Sequence, residues 1–505
     1  MTDNKRIATN TFVLYIRMLF TMCVSLYTSR IILNTLGVED YGIYNVVGGI
    51  TALFCFITAS MTQAIQRFIT FELGKSKTGN PQKAFSIGIQ LQIIISTIIV
   101  VLLEIVGIWM LYNELKIPYN RLNAAFWVLQ CSIFTIPISL LSSPYNALII
   151  AHEKMQAFAY ISVIEVMLKL LIVYILLISS IDKLIMYGIL NVLVTICIRM
   201  CYTTYCSKKI KEAKFVYTKD FTSIGKMVSF AGWNMYGALS YVGFTQGLNI
   251  LLNMFFNPAV NAARGIAVQV QTTIYGFIMN FQTAINPQIT KTYASNDLSG
   301  MHTLICRSAK FSFLLLLILS FPIILEAPYI LKLWLKLVPE DTVVFVRIII
   351  ITSWITTIEN PITYAVQATG IIKNYLLVIS TIRLFIVPIA YILLKIGFPA
   401  YSAFIVHFII EFLVLGVRLK LVKPLIDFQI KKFFSKVIYK DLLVFSFSAI
   451  IILTTYTLFS QGMLRLLIIV LITVIIIPLF SYYIAFDDGE KNFVMSIIKR
   501  IIYRR

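Results

Sequence analysis

The sequence is short of charge, and shortest of acid. Only 13% of its 505 residues are charged, with 22 acidic against 43 basic. Soluble globular domains carry about 25% charged residues, so that class is excluded. Cysteines number seven, with no CxxC pair, and most sit inside apolar runs. They read as small buried hydrophobes, not as disulfide partners or metal ligands. His152, His302 and His407 are too scattered to build a metal site. Catalytic signatures are missing as well: there is no GxSxG, HExxH, Walker motif or DxD-like pair. No long polar loop could hold such a site, so a membrane glycosyltransferase or ligase is disfavoured and no cofactor is expected. The net charge of +21 does not mark a nucleic-acid binder, because the basic residues punctuate apolar runs and form no single face. A cleavable leader is not expected either. The polar start MTDNKRIATN leads into a full-length apolar run without a small-residue cleavage site.

What the chain has is grease, 59% of its residues being hydrophobic. Runs of about 20 apolar residues recur along its length, each able to cross about 30 Å of hydrocarbon. Fourteen spans are expected, at 11–34, 43–64, 85–111, 122–149, 156–179, 183–206, 227–255, 264–290, 306–326, 342–370, 374–395, 399–419, 438–460 and 464–486. This is the pattern of an all-α integral membrane protein. Segments on the N-terminal side of the membrane hold roughly three times the Lys and Arg of the other side, which predicts both termini in the cytoplasm. The expected organisation is an N-lobe at 1–206, a cytoplasmic linker at 207–226 and a C-lobe at 227–420. A basic amphipathic loop at 421–437, spans 13 and 14 at 438–486 and a basic tail at 487–505 follow. Spans 13 and 14 are expected to face lipid, with little but Arg465 to interrupt them. The tail sets Phe493, Ile497, Ile498, Ile501 and Ile502 against Lys499, Arg500, Arg504 and Arg505. That suits an interfacial helix on anionic lipid, or a plain stop-transfer cluster.

The chain is also built twice. Ile31–Asn34 is echoed by Ile250–Asn253, and Gln63–Thr70 by Thr283–Thr290. Further along, Ser143–Ala151 is echoed by Asn360–Ala368 with Pro144 and Pro361 aligned. Six spans separate the copies, so both insert the same way up. That predicts two pseudo-symmetric six-helix lobes related by an axis along the membrane normal, plus two extra C-terminal helices. Each proline frees a backbone carbonyl one turn back, so Pro144 and Pro361 are expected hinges.

Polar residues concentrate in the duplicated spans 1, 2, 7 and 8, which are expected to line an aqueous cavity between the lobes. Candidate substrate-binding residues there are Arg17, Arg30, Arg264, Gln63, Asn249, Asn253, Gln271 and Asn280. A mid-membrane arginine costs about 2.5–3.5 kcal/mol, and a guanidinium matches phosphate oxygens bidentately, so the arginines are candidate phosphate contacts. Snorkelling of the arginines and helix–helix hydrogen bonding by the amides and hydroxyls are the competing readings. Glu165 and Lys169 are spaced to pair on one helix face. Arg383 can pair with Glu411, and Glu359 precedes the Asn360–Pro361 step. These five are candidates for structural or ion-coupling pairs.

Three stretches carry a resemblance: SRIILNTLGVEDYGIYNVVGGI (Ser29–Ile50), ITASMTQAIQRFIT (Ile57–Thr70) and INPQITKTYAS (Ile285–Ser295). With them, spans 1–12 resemble a polysaccharide or O-antigen (Wzx-type) flippase of the multidrug/oligosaccharidyl-lipid/polysaccharide exporter (MOP) superfamily. The resemblance implies a MATE-like fold of two six-helix lobes around a central cavity, working by alternating access in the bacterial inner membrane. It also implies an undecaprenyl-diphosphate-linked oligosaccharide as substrate, moved to the periplasmic leaflet for O-antigen, capsule or exopolysaccharide biosynthesis. Coupling to an H+ or Na+ gradient or to the membrane potential, and contact with other glycan-assembly proteins, would follow. Arginines on the first helix and at the start of the eighth are similar to those of the lipid II branch, which favours Arg17, Arg30 and Arg264. A lipid II flippase and a cation-coupled multidrug antiporter are the alternatives. The antiporter would need acids in spans 1, 2, 7 and 8, and those spans have none.

Overall fold

The computed structural model describes residues 3–52, 55–75, 78–113, 117–179, 182–256, 258–335, 338–492 and 495. All regular structure among them is helical. The chain forms α1 (Asp3–Ala52), α2 (Cys55–Gly74), α3 (Pro81–Asn113), α4 (Leu122–Ala151), α5 (Met155–Ile178), α6 (Lys183–Lys209), α7 (Phe221–Phe255) and α8 (Pro258–Ala294). It continues as α9 (Leu298–Leu335), α10 (Thr342–Thr369), α11 (Lys373–Leu384), α12 (Ile386–Lys395), α13 (Ser402–Ile426), the short α14 (Ile430–Phe433), α15 (Tyr439–Leu458) and α16 (Met463–Phe480). With α11 and α12 taken together as one interrupted span, fourteen long helices result. Nine described helical stretches are long and apolar enough to cross a membrane, and α1, α2, α7, α8 and α13 are not among them. This is a multi-pass, all-α membrane protein.

Two expected boundaries change. Residues 35–42, expected as a loop between spans 1 and 2, lie within α1, which breaks at Gly37 (φ 81°, ψ 168°). Only glycine takes that conformation without strain. The continuation carries Asp40 to Arg121, which also donates to Asp182 Oδ2 at 2.6 Å. Asp182 in turn caps α6, accepting from Leu184 N at 3.0 Å. The basic loop expected from 421 begins later, because α13 runs on to Ile426, and Arg418 is a buried residue of that helix.

The chain divides into two compact units, one of residues 6–235 and one from residue 236 onward, so the boundary falls inside α7. In the first unit α2, α3 and α4 pack on one another, and α4 also packs on α6. Ile43, Val47, Leu103, Val128 and Leu129 centre its core. In the second, α8, α9 and α10 pack in the same pairwise way, and α10 packs on α13. Its core centres on Ala267, Ile278, Phe345 and Phe404. α7 approaches α12 closely at Gly247, where a Cβ would lie 2.7 Å from Val387 Cγ2.

The α15–α16 hairpin packs on α9. The expectation that this pair simply faces lipid needs correction. Arg465, Ile469, Thr473 and Ile477, one face of α16, are buried, while Leu464, Leu467, Leu471 and Ile475 are exposed. Within the first unit the segment ahead of α7 is strapped along α3. Gln82 Nε2 donates to Lys214 O at 3.2 Å, Val216 N donates to Ser86 Oγ at 3.1 Å, and Lys83 meets Asp220 at 2.6 Å. Of the amphipathic tail pattern, all residues named above lie outside the described residues.

Candidate functional site

Each unit has its own open cavity with polar side chains on its wall. The first, of about 570 Å³, is walled by α4, α5 and α6 with Tyr44 of α1 and Thr58 and Thr62 of α2. Several of its hydroxyls sit on otherwise apolar helices by giving their protons to a carbonyl one turn back, as Thr135 does to Ser132 O at 2.7 Å and Thr195 to Asn191 O at 2.8 Å. Glu165 and Lys169 line it, joined at 2.6 Å. Arg17 does not itself belong to the described wall. Its guanidinium lies 4.6 Å from the ring centre of Phe158 and its Nη1 3.5 Å from Ser162 Oγ, and both partners are wall residues. Gln63 is half-buried on α2, outside the described wall. Arg30 belongs to α1, and its side chain lies outside the described residues.

The second cavity, of about 520 Å³, is walled by α7, α8, α10, α11 and α13. It brings together Arg264, Gln271, Arg383 and Glu411. Arg264 Nη2 donates to Thr245 O at 2.8 Å. Gln271 Nε2 donates to Ser353 Oγ at 2.8 Å. Asn249, Asn253 and Asn280 are not in the described wall, and Asn280 turns back to Gly276 O at 2.9 Å.

Arg383 and Glu411 carry the wall into a four-charge network. Arg383 donates to both oxygens of Glu411, at 2.9 and 2.8 Å, and its Nη2 also lies 3.4 Å from Glu359 Oε2. Arg418 Nη2 reaches the same Glu359 oxygen at 3.0 Å, and its Nη1 bonds to Thr363 and Tyr375. His407 Nε2 lies 3.5 Å from Glu411 Oε1. Glu359, Glu411 and Arg418 are 1%, 2% and 3% exposed, and burial that deep demands matched partners. Two arginines therefore balance two glutamates. Among the described residues no carboxylate pairs with Arg264, so it supplies the cavity's uncompensated charge.

Pro144 and Pro361 both lie inside continuous helices, α4 and α10. Beside each proline the packing is tied by amides and hydroxyls. Thr62 and Gln92 both donate to Ser143 Oγ at 3.0 Å. Asn360 donates to Gln282 Oε1 at 3.2 Å and to Tyr275, while Gln282 donates to Ser312 Oγ at 3.1 Å. Sequence reasoning passed over Arg418 and set His407 aside. His407, Glu411 and Arg418 share one face of α13 by helical spacing, a signal that could have grouped them.

No protein-family model matches the sequence, and no curated protein matches it. Solved structures do match in fold. A point mutant of a MATE transporter gives a TM-score of 0.73 at 13% identity, covering 84% of this chain and 96% of its own. A MOP superfamily transporter from Pyrococcus furiosus, described as having a binding pocket of reversed polarity that suggests a different function, gives 0.69 at 14% identity over 84% and 96%. The MATE transporter ClbM in complex with Rb+ gives 0.69 at 13% identity over 83% and 95%. At such identity the likeness shows the fold, which is that of the MATE and MOP transporters.

Proposed function

We propose that the chain is a flippase for a lipid-linked oligosaccharide. It would carry an undecaprenyl-diphosphate-linked glycan from the cytoplasmic to the periplasmic leaflet of a bacterial inner membrane, for O-antigen, capsule or exopolysaccharide synthesis. Both termini lie in the cytoplasm, and an H+ or Na+ gradient or the membrane potential drives the cycle. The observation that carries this reading is Arg264, a guanidinium on the cavity wall with one carbonyl partner and, among the described residues, no carboxylate. Its remaining donors suit a diphosphate, which a planar fork holds better than a point charge. Glu359 and Glu411 are matched by Arg383 and Arg418, which leaves no bare acid for a cationic drug among the described residues of this cavity's wall. Assembly proteins that make and polymerise the glycan are its natural partners, and anionic lipids its surroundings.

The test is flipping in proteoliposomes. Arg264→Ala should slow translocation of the lipid-linked glycan by roughly 10–100-fold, the worth of one charge-assisted contact. Unchanged flipping at equal protein level would sink the reading. A cation-coupled multidrug antiporter is the second reading, favoured by the fold it shares with ClbM, which is solved with Rb+. Proton- or sodium-driven ethidium efflux, insensitive to Arg264→Ala, would establish it instead. A lipid II flippase would show itself by preferring lipid II in the same assay.

A further inference from the structure

The strap between α6 and α7 presents a surface that its ties to α3 leave unused. Those ties fall near the start of α3, at Gln82, Lys83 and Ser86. That helix is one of those apolar enough to cross a membrane. The strap is therefore held at the end of a span, where hydrocarbon gives way to headgroups. At that level Phe215, Val216, Tyr217 and Phe221 are each at least half exposed. Apolar side chains exposed singly need no explanation, but four within seven positions mark a surface that something covers.

The charge beside them is mostly of one sign. Lys208, Lys209, Lys211, Lys214 and Lys219 are exposed, and none of them makes an ion pair among the described residues. Of the segment's two acids, Asp220 is held by Lys83 at 2.6 Å and Glu212 lies 3.6 Å from His152. Aromatic rings beside lysines at the end of a span suit one partner, a bilayer interface. The rings enter the acyl boundary and the ammonium groups meet lipid phosphates.

We propose that residues 208–221 form a docking surface for an anionic phospholipid leaflet. Phe215, Val216, Tyr217 and Phe221 insert at its edge, and the five lysines select its charge. The partner is the leaflet and not a free anion, because inorganic phosphate would satisfy the lysines and leave the apolar side chains in water. The inference holds whatever ligand the cavities carry.

Amide exchange of residues 210–221 in the full chain tests it, in nanodiscs of phosphatidylcholine alone and of phosphatidylcholine mixed with phosphatidylglycerol. Exchange should slow by about tenfold or more when phosphatidylglycerol is present, since each lysine near an anionic surface adds to the docking. High salt should remove most of that slowing. The combination Lys208→Gln, Lys211→Gln, Lys214→Gln and Lys219→Gln should abolish the lipid dependence, and the same four positions changed to arginine should keep it. Phe215→Ser with Tyr217→Ser should also lose it, with every lysine intact. Unchanged melting temperatures in detergent show that these surface variants are folded. Equal exchange of the wild-type chain in the two discs overturns the proposal. So does slowing that survives the glutamine changes, which would place the lipid effect elsewhere. Slowing by inorganic phosphate in phosphatidylcholine discs would reveal an anion site without leaflet docking, and the proposal would fail.

Discussion

Ser143 and Asn360 hold the same post in the two lobes. Each precedes the helix proline of its repeat, and each belongs to a knot of three helices: Ser143 accepts from α2 and α3 directly, while Asn360 of α10 donates to Gln282 of α8, which donates on to Ser312 of α9. The partners are repeat-related as well. Thr62 corresponds to Gln282 and Gln92 to Ser312, each pair 220 positions apart. The glutamine has changed helices between the copies while the knot has stayed. Gln92, Gln282 and Ser312 are all fully buried, so loss of one member strands the others. Gln282→Leu should destabilise the protein by about 1–3 kcal/mol, the cost of buried groups left unsatisfied. The exchange Thr62→Gln with Gln92→Ser rebuilds the C-lobe pattern in the N-lobe, and should cost less than Gln92→Ser alone. Thermal unfolding in detergent measures both.

A second tie joins helices far apart in sequence. Arg465 of α16 donates to Glu326 Oε2 at 3.0 Å, and its Nε lies 2.5 Å from Oε1 in a contact not aligned as a hydrogen bond. Arg465 also stacks on Tyr456 at 4.2 Å. At the other end of the hairpin Lys310 of α9 meets Glu490 at 2.6 Å, and both are buried. The extra hairpin is therefore clamped to α9 at two levels. Breaking a buried pair from one side leaves a bare charge, at a cost of about 3–5 kcal/mol, while replacing both partners is often neutral. Arg465→Met should lower the melting temperature sharply, and Arg465→Met with Glu326→Leu should recover most of the loss. Equal losses in the two variants would show that the pair's charge balance is not what matters.

How much of this was legible in the sequence depends on range. Apolar runs and the internal repeat gave the membrane class and the helix count, because hydropathy and duplication are read locally. Glu165 with Lys169, one turn apart, needs no fold to be seen. Arg383 and Glu411 could be matched because each is a charge in the middle of one of two neighbouring apolar spans. Arg465 with Glu326 and Lys310 with Glu490 could not, since 139 and 180 residues separate the partners. Residues 35–42 misled because Gly, Glu and Asp together resemble a loop, whereas one glycine torsion breaks the helix and the acid finds Arg121. The hydroxyl-lined cavity hid for another reason. Its wall is mostly α4–α6, whose mean character is apolar and whose polar atoms converge only when the helices pack.

The strap along α3 gives a prediction in pH. Asp220 is held well below the usual carboxylate range, first by the hydrogen bond from Lys83 and then by those from Ser223. A carboxylate depressed on folding contributes stability above its unfolded value, near about 3.9, and loses it only as pH falls through the lower folded value. The Lys83–Asp220 latch should therefore stay closed on acidification to about pH 4. Hydrogen exchange of residues 210–220, corrected for intrinsic rates, should be the same at about pH 5 and about pH 7. In Asp220→Asn the same amides should exchange faster at both. A latch that opened between those pH values would mean that another group holds the segment.

Arg264 and lysine separate charge from shape. The arginine gives one N–H to Thr245 O and keeps the rest of its fork for the cavity. A lysine there carries the same charge as a compact ammonium, and cannot hold the carbonyl and two phosphate oxygens in one plane. If the site recognises a diphosphate by its oxygens, Arg264→Lys should lose about tenfold in flipping at subsaturating substrate, one charge-assisted bond's worth. Most of that loss should appear as a higher KM, because the contact is made to substrate in both leaflets. Arg264→Gln should lose more, and raising salt should weaken wild type and the lysine variant in parallel, since both act through charge. Full activity in Arg264→Lys would mean that the cavity needs only a positive potential, and that its anion is held without bidentate geometry.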